Sequence, residues 1–346
     1  MAVNRFAVRL GDLSVGFIHN LLDTVNSLGH DTRELRERFA LTPQRLSEAD
    51  GRLSIPRYMR LGHACIELTG RADIGLLAGA RHNATHLGLA GIVARSAPTL
   101  REALRCITEF ESLYAQNYRG QSSFHEDASG AWLRFYSISP YNDYNRFVVD
   151  SVLAGWATQL SQLAGSQPCL EQVQIEFAAP SYHAAYSAHF KAPVEFASER
   201  NQLRLSKSCL DMALPEHCPS TWSKLKQLAE REREQRTHTR TLREKVIQQI
   251  GPLLLGHEPD IEDIAARLGL PSWTLRRKLT DEGSGFRQLL NETRHDLATT
   301  YVRDTDLSFG EIAYLLGFAS AGAFQRAFKR WSGSTPGDYR RQQRRS

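Results

Sequence analysis

Two stretches of the chain, 48 positions apart, decide its fold: Ile264-Ala265-Ala266-Arg267-Leu268-Gly269-Leu270-Pro271-Ser272-Trp273-Thr274-Leu275-Arg276-Arg277 and Ile312-Ala313-Tyr314-Leu315-Leu316-Gly317-Phe318-Ala319-Ser320-Ala321-Gly322-Ala323-Phe324-Gln325-Arg326. Ile264, Ala265, Leu268 and Gly269 recur as Ile312, Ala313, Leu316 and Gly317, and Arg277 recurs as Arg326 after one inserted residue. Ile and Leu four apart make the apolar stripe of a short helix, and the Ala beside the Ile lets another helix cross close to its backbone. The Gly that follows takes the left-handed conformation that ends a helix without a Cβ penalty. Ser272 and Ser320 then stand where the N-cap of a second helix belongs. That helix carries Arg276, Arg277 and Lys278 in the first copy and Gln325, Arg326, Lys329 and Arg330 in the second. Arg and Gln are the side chains that pair with base edges or hold phosphates. A solvated helix face is the plain alternative for each cation alone. A duplicated helix, glycine turn and basic helix instead implies double-stranded DNA as partner. Trp273, one residue past the cap, is read as facing the groove, whereas Leu275, Leu279, Ile312, Phe324, Phe328 and Trp331 are read as core.

The 346 residues suggest about two domains, and the 41% hydrophobic content suffices for ordinary cores. No uninterrupted apolar run is long enough to cross a bilayer, so no membrane partner is expected. Met1 to Leu10 lack the apolar core and cleavage site of a secretory signal, which makes a cytoplasmic location the expectation. The net charge of +5 is modest, but Arg326, Lys329, Arg330, Arg340, Arg341, Arg344 and Arg345 crowd the C-terminal end against Asp338 alone. Such an end is the electrostatic footprint of phosphate contact, with a solvated tail from Arg340 to Ser346 as the other reading. The five cysteines, Cys65, Cys106, Cys169, Cys209 and Cys218, are odd in number and scattered, and read as reduced structural thiols.

Upstream, Val15 to Leu28, Pro56 to Leu68 and Leu100 to Tyr114 show helical spacing, with Thr99 and Glu102 placed for a capping box. Ala131 to Ile138 and Val173 to Phe177 alternate as strands do, and Phe147 to Leu163 suits a buried helix. Ser181 to Phe190 reads as a short helix, and Val194 to Phe196 and Gln202 to Leu205 as further strands. Pro215 and Pro219 break the chain before a charged stretch with few apolar anchors. The reading is thus an α+β regulatory domain at 1–215, a charged linker at 216–240, and an all-α domain at 241–346. The last holds two helix-turn-helix units, about 260–282 and 308–331, joined by a long helix.

Little points to chemistry. His82 and His86 stand four apart without the Glu of a metalloprotease pattern or a third ligand nearby, so no metal is expected. No nucleophile elbow, phosphate loop or dinucleotide fingerprint is present, and neither an enzyme nor a cofactor is inferred. Tyr141, Tyr144, Phe147 and Trp156 could line a small-molecule pocket or simply belong to the core.

The C-terminal segment resembles the AraC/XylS family of transcription regulators, in Ile312 to Phe318, in Phe324-Gln325-Arg326-Ala327-Phe328-Lys329-Arg330-Trp331 and in Thr335-Pro336-Gly337-Asp338-Tyr339-Arg340. Gly75-Leu76-Leu77, Leu87-Gly88-Leu89-Ala90-Gly91 and Ser96 to Leu104 are similar to the arabinose-binding and dimerisation domain of that family's ornithine-utilisation-regulator branch. The resemblance implies seven helices in the C-terminal domain, with a first reading helix over about Ser272 to Glu282. The second starts at Ser320, with Ala321, Gly322, Ala323, Gln325 and Arg326 in the reading positions. Ala321-Gly322-Ala323 departs from the polar residues common there, which leaves base readout to Gln325 and Arg326. Thr280 to Phe286 is shorter than the usual turn. The resemblance further implies an activator that senses an unknown small-molecule effector, contacts RNA polymerase and binds paired half-sites as a homodimer. A protein-interaction switch is the alternative role for the N-terminal domain. Finally, a linker helix of about 19 residues is about 28 Å long, short of the roughly 34 Å between successive groove faces, so bent DNA is expected.

Overall fold

The computed structural model describes residues 11–117, 120–137, 141–143, 145–165, 167–238, 241–254, 256–305 and 307–345. Met1 to Leu10 and Tyr144, which entered the sequence reading, lie outside them. The chain forms two compact units, divided between Gln235 and Arg236.

The first unit runs β1 (Gly11–Ser14), α1 (Val15–Ser27), α2 (Arg33–Arg38), α3 (Pro43–Ser47), β2 (Arg52–Ser54), α4 (Ile55–Thr69), α5 (Ile74–Ala80), a 3-10 turn (Ala84–Leu87), α6 (Leu89–Arg95), α7 (Leu100–Glu109), α8 (Glu111–Tyr114), β3 (Ala115–Asn117), β4 (Ser123–Glu126), β5 (Gly130–Phe135), α9 (Arg146–Ala164), β6 (Leu170–Gln174), α10 (Ala184–Phe190), β7 (Val194–Glu195), β8 (Asn201–Ser206), α11 (Lys207–Leu210) and α12 (Pro219–His238). The strands form a small sheet, β2-β1-β3, and a larger one, β4-β5-β8-β6-β7. In the larger sheet β6 and β7 run parallel, while β4–β5, β5–β8 and β6–β8 are antiparallel. Thr99 caps α7 by accepting the Glu102 N–H at 3.3 Å. The Glu102 carboxylate turns to Arg105 at 3.0 Å, so the two make only half of the expected capping box.

The long apolar helix α9 is the spine of this unit. Its first turn, Phe147 and Val148, belongs to a core shared with α1, α2 and α4, and the rest packs with α6, α7 and the larger sheet. It approaches α5 at backbone distance because that helix offers glycines: a Cβ on Gly75 would lie 2.5 Å from the Phe147 carbonyl oxygen, and one on Gly79 would lie 2.3 Å from the Ala154 Cβ. Of the aromatic residues considered for a pocket, Phe147 is core, packed under Gly62. Tyr141 is tied to Glu176 and accepts from the Asn201 amide at 2.7 Å. Trp156 lines a cavity described below.

Asp150 is buried on α9 and accepts from Tyr186 Oη at 2.6 Å and Tyr182 Oη at 2.9 Å. Burial pushes its carboxyl up to about 7 against the pull of both hydroxyls. The folded state therefore prefers the protonated acid, so its contribution to stability is greatest below the ordinary carboxylate range and falls as pH rises towards 7. Asp150→Asn, which stays neutral, should gain on the wild type by a few kcal/mol between about pH 4 and 7. Urea titrations across that range would show it, and a pH-independent difference would contradict it.

Two parts of the unit differ from the sequence reading. Cys169 and Cys209, expected as thiols, are joined in a disulfide, their Cα atoms 5.7 Å apart. A separation of 40 residues carries no pairing signal, and it is the antiparallel β6–β8 register that brings them together. Cys65 and Cys106 remain buried free thiols, and Cys218 an exposed one. The stretch read as a charged connector, helical in part, is helix α12 over Pro219–His238 and docks on the first unit. Ala229 of α12 is fully buried in the first unit's core, Trp222 and Leu225 pack against it, and Arg233 pairs with Glu109 at 2.6 Å. Three apolar anchors on one face suffice where the remaining charges stay outward. Thr239 and Arg240 fall outside the described residues.

Candidate nucleic-acid interface

The second unit consists of α13 (Leu242–Leu253), α14 (Ile261–Arg267), α15 (Ser272–Asp281), α16 (Phe286–Asp304), α17 (Phe309–Leu315), α18 (Ala321–Ser332) and α19 (Pro336–Arg345). These match the seven helices implied by the resemblance. In each half a short helix ends on a glycine at φ +66° and turns into an amphipathic helix. Leu275 and Leu279 of α15, and Phe324 and Phe328 of α18, are all buried, as are Ile264, Ala265, Ile312 and Ala313 of the preceding helices. Trp331 is only half-buried, ringed by Phe318 and His295.

Ser320 caps α18 by accepting the Ala323 N–H at 3.2 Å. Ser272 does not play this part. Pro271 is the N-cap of α15, with φ −60° and ψ 141°, and Ser272 is the first helical residue, making no cap bond. From the turn glycine to the cap is two residues in the first half and three in the second, the inserted residue noted in the repeat. Proline's fixed φ presets the helix entry. The short turn before the linker resolves as Glu282, then Gly283 at φ +70°, then Gly285 capping α16.

Outward from these cores lie the predicted contact residues. Trp273 is 63% exposed and carries the Arg277 guanidinium 5.5 Å from its ring centroid. Arg276 is exposed and bridges to Glu262 at 3.1 Å, an exposed pair that phosphates or bases can exchange at little cost. Lys278 is exposed beside them and Ser272 half-exposed. On α18, Gly322, Gln325, Arg326, Lys329 and Arg330 are exposed, and Ala321 is half-exposed next to the exposed Ser320. The structure thus exposes Trp273, Arg276 and Arg277 on one side of α15, and Gly322, Gln325, Arg326 and Lys329 on one side of α18.

The linker helix α16 spans 19 residues. Leu289, Leu290, Thr293, Arg294, Leu297, Ala298, Tyr301 and Val302 are buried along it, and it packs on α13 as well as on α17, α18 and α19. Arg294 stands out, its side chain only 7% exposed. It donates to the carbonyls of Leu316 at 2.8 Å and Gly317 at 2.7 Å, pairs with Glu258 at 2.9 Å and lies 4.8 Å over the Phe318 ring. It thereby ties the linker to the turn of the second helix-turn-helix. Sequence reasoning missed it, although a signal existed: Arg294 occupies the apolar stripe between Leu290 and Leu297.

A family model for the arabinose-binding N-terminal domain of AraC transcription regulators matches residues 29–214, and one for a helix-turn-helix domain matches residues 232–342. The chain belongs to the AraC family of transcription regulators. Over 94% of its length it is 28% identical to the ornithine utilization regulator of Pseudomonas aeruginosa, covering 95% of that protein. It is 26% identical to the HTH-type transcriptional regulator VirS of Mycobacterium tuberculosis, over 92% of this chain and 93% of that one. The crystal structure of the transcriptional regulator CdpR from Pseudomonas aeruginosa aligns over 94% of this chain and 98% of that chain at 22% identity, with a TM-score of 0.44.

As an AraC-family member the chain is a DNA-binding transcription regulator, and its relatives are named as regulators rather than enzymes. No helix among the described residues is long and apolar enough to cross a membrane. Arg340, counted in the sequence among the cations of a basic C-terminal end, is engaged within the second unit itself. Arg340 is held inside: it donates to the carbonyls of Val302 at 3.0 Å and Leu307 at 2.7 Å and covers the Phe309 ring. Burial lowers its pKa accordingly. Arg341 is exposed and pairs with Asp338 within α19. The side chains of Arg344 and Arg345 lie outside the described residues.

Proposed function

We propose that this AraC-family regulator is an effector-responsive activator that grips two adjacent major-groove segments, α15 in one and α18 in the next. The observation that carries this is the exposure of Arg276 and Arg277 on the first reading helix and of Gln325 and Arg326 on the second, each set opposite a buried apolar stripe. Residues near the start of a reading helix meet base edges while those further along approach the backbone. Trp273, Arg276 and Arg277 would then read bases, with Ser272 and Lys278 on flanking phosphates. On the second helix Gln325 and Arg326 would read bases, Ser320, Ala321 and Gly322 would allow close backbone approach, and Lys329 and Arg330 would hold phosphates.

Arg276→Ala is expected to weaken a specific operator by roughly 1 to 3 kcal/mol and to relax preference at one base pair. Lys329→Ala is expected to weaken all DNA alike and flatten the salt dependence of binding. Titrating operator and random duplexes at several salt concentrations checks both, and equal losses on the two duplexes for both variants would refute the division of roles. A linker helix about 28 Å long, against a groove repeat of roughly 34 Å, should bend the duplex at an elastic cost of a few kcal/mol. A circular-permutation gel should therefore show position-dependent mobility, and a flat profile would count against it.

The first unit would sense a small molecule and pair two chains on adjoining half-sites, with RNA polymerase as the downstream contact. An effector shifts DNA occupancy only through differential affinity for two states of the protein. Genomic footprinting with and without candidate nutrients, together with sedimentation of the full chain, tests this scheme.

A further inference from the structure

A partly open cavity, its enclosed part about 60 Å³, lies within the first unit, between α1, α4, α9, β3 and β5. Its wall is largely apolar, and aromatic to an unusual degree: Phe17, Tyr58, Tyr114, Phe135, Tyr136 and Trp156 all contribute. Several of these rings support one another, Phe17 against Tyr58 and Tyr114 and Phe135 edge-on to Trp156 at 5.9 Å. Among the described lining residues no Lys or Arg appears, and the carboxylate is that of Glu111.

Among the described residues Ser122 holds Glu111 in place, its backbone N–H donating at 2.8 Å and its hydroxyl at 2.5 Å. A carboxylate has about four acceptor positions, so room remains for two more donors. Burial pushes the carboxyl up to about 7, and an incoming positive charge would favour its ionised form. His82 lines the same cavity, is 6% exposed, and has a buried Nε2 without a hydrogen-bond partner among the described residues. Its burial lowers the imidazole pKa to about 3, so the ring is neutral and one of its nitrogens is an acceptor.

Aromatic faces attract a cation through their quadrupoles, and a carboxylate and a neutral imidazole accept its N–H groups. Among the described lining residues a carboxylate-bearing ligand would meet no compensating positive charge. We propose that this cavity binds a small amphipathic amine, its ammonium at Glu111 and its apolar body against Phe17, Trp156 and their neighbours. The inference rests on the effector-sensing role assigned above to the first unit, and gives that role a chemical class.

The test uses the full chain and three probes of matched size: phenethylamine, 2-phenylethanol and phenylacetate. Calorimetric titration at neutral pH should show phenethylamine binding at least tenfold more tightly than the other two. In Glu111→Gln, the preference for the amine over the alcohol should vanish while the unliganded protein keeps its melting temperature to within a few degrees. If that variant fails to fold, the comparison of the three probes on the wild type decides. Phenylacetate binding as well as the amine, no measurable binding of any probe, or an amine preference unchanged in a folded Glu111→Gln would each overturn the proposal. Operator binding by the same preparation, measured without probe, is a separate readout. Specific DNA binding with no amine binding defeats the pocket assignment alone, whereas amine binding without specific DNA binding defeats the regulator scheme alone.

Discussion

Arg294→Leu is expected to cost the C-terminal unit about 3 kcal/mol and to remove DNA binding on specific and random duplexes together. The guanidinium satisfies two buried carbonyls, Leu316 and Gly317, and covers the face of Phe318. An aliphatic replacement would fill some of the volume and leave both carbonyls without donors, at about 1 to 3 kcal/mol each, offset in part by the relief of an otherwise desolvated cation. The Glu258 partner is more than half exposed and returns to water with little penalty. Arg294→Lys should fall between, because a single ammonium cannot reproduce the planar fork that meets three acceptors. Urea unfolding of the full chain followed by gel-shift titration provides the measurement. A Leu variant as stable as the wild type would show that the linker does not depend on this tie.

The paired turn glycines give the second large effect. Gly269 and Gly317 share φ +66° and the same place in the repeat. Around Gly269 a Cβ would find nothing within 4 Å, whereas at Gly317 it would lie 2.2 Å from the His257 carbonyl oxygen. Gly269→Ala should therefore cost only the left-handed backbone penalty, about 1 to 2 kcal/mol, and leave a protein that binds its operator. Gly317→Ala adds a collision with main chain that cannot swing aside as a side-chain tip can, and a loss of at least about 3 kcal/mol is expected. Thermal melts of the two variants side by side check this; equal losses would mean that the close approach at Gly317 relaxes freely.

How far the chain could be read before its structure follows from where the signals sit. The repeat located both helix-turn-helix units because its stripe, its glycine and its basic face are all local, whereas the linker helix, observed at Phe286–Asp304, was implied by the family resemblance. In the first unit α9 was legible as an apolar run, but β1, β2 and β3 were not, since strands of three or four residues are too short for alternation to show. Ser272 was misplaced as a cap because the helix starts one residue earlier than its hydroxyl suggested, with Pro271 in the N-cap position. Arg294 and Arg340 look like any other arginine until their acceptors, carbonyls 22 to 38 residues distant, come into view. The disulfide, the docking of α12 through Ala229, and the meeting of Glu111 with His82 around one cavity likewise depend on residues remote in sequence. The exposed faces of α15 and α18 were legible from the spacing of their apolar residues.

The unequal turns, two residues from glycine to cap in one half and three in the other, place unlike side chains at matching heights of the two reading helices. Buried Leu275 corresponds to Phe324, so Arg276 stands opposite Gln325, and the bulky Trp273 opposite Gly322. Arginine favours guanine and glutamine favours adenine. On the proposed mode of binding, one protomer therefore recognises two different words in a fixed order, and its target has a direction along the promoter. A genome search for tandem identical boxes would pass over such sites, and inverting one of them should turn the regulator to face the other way.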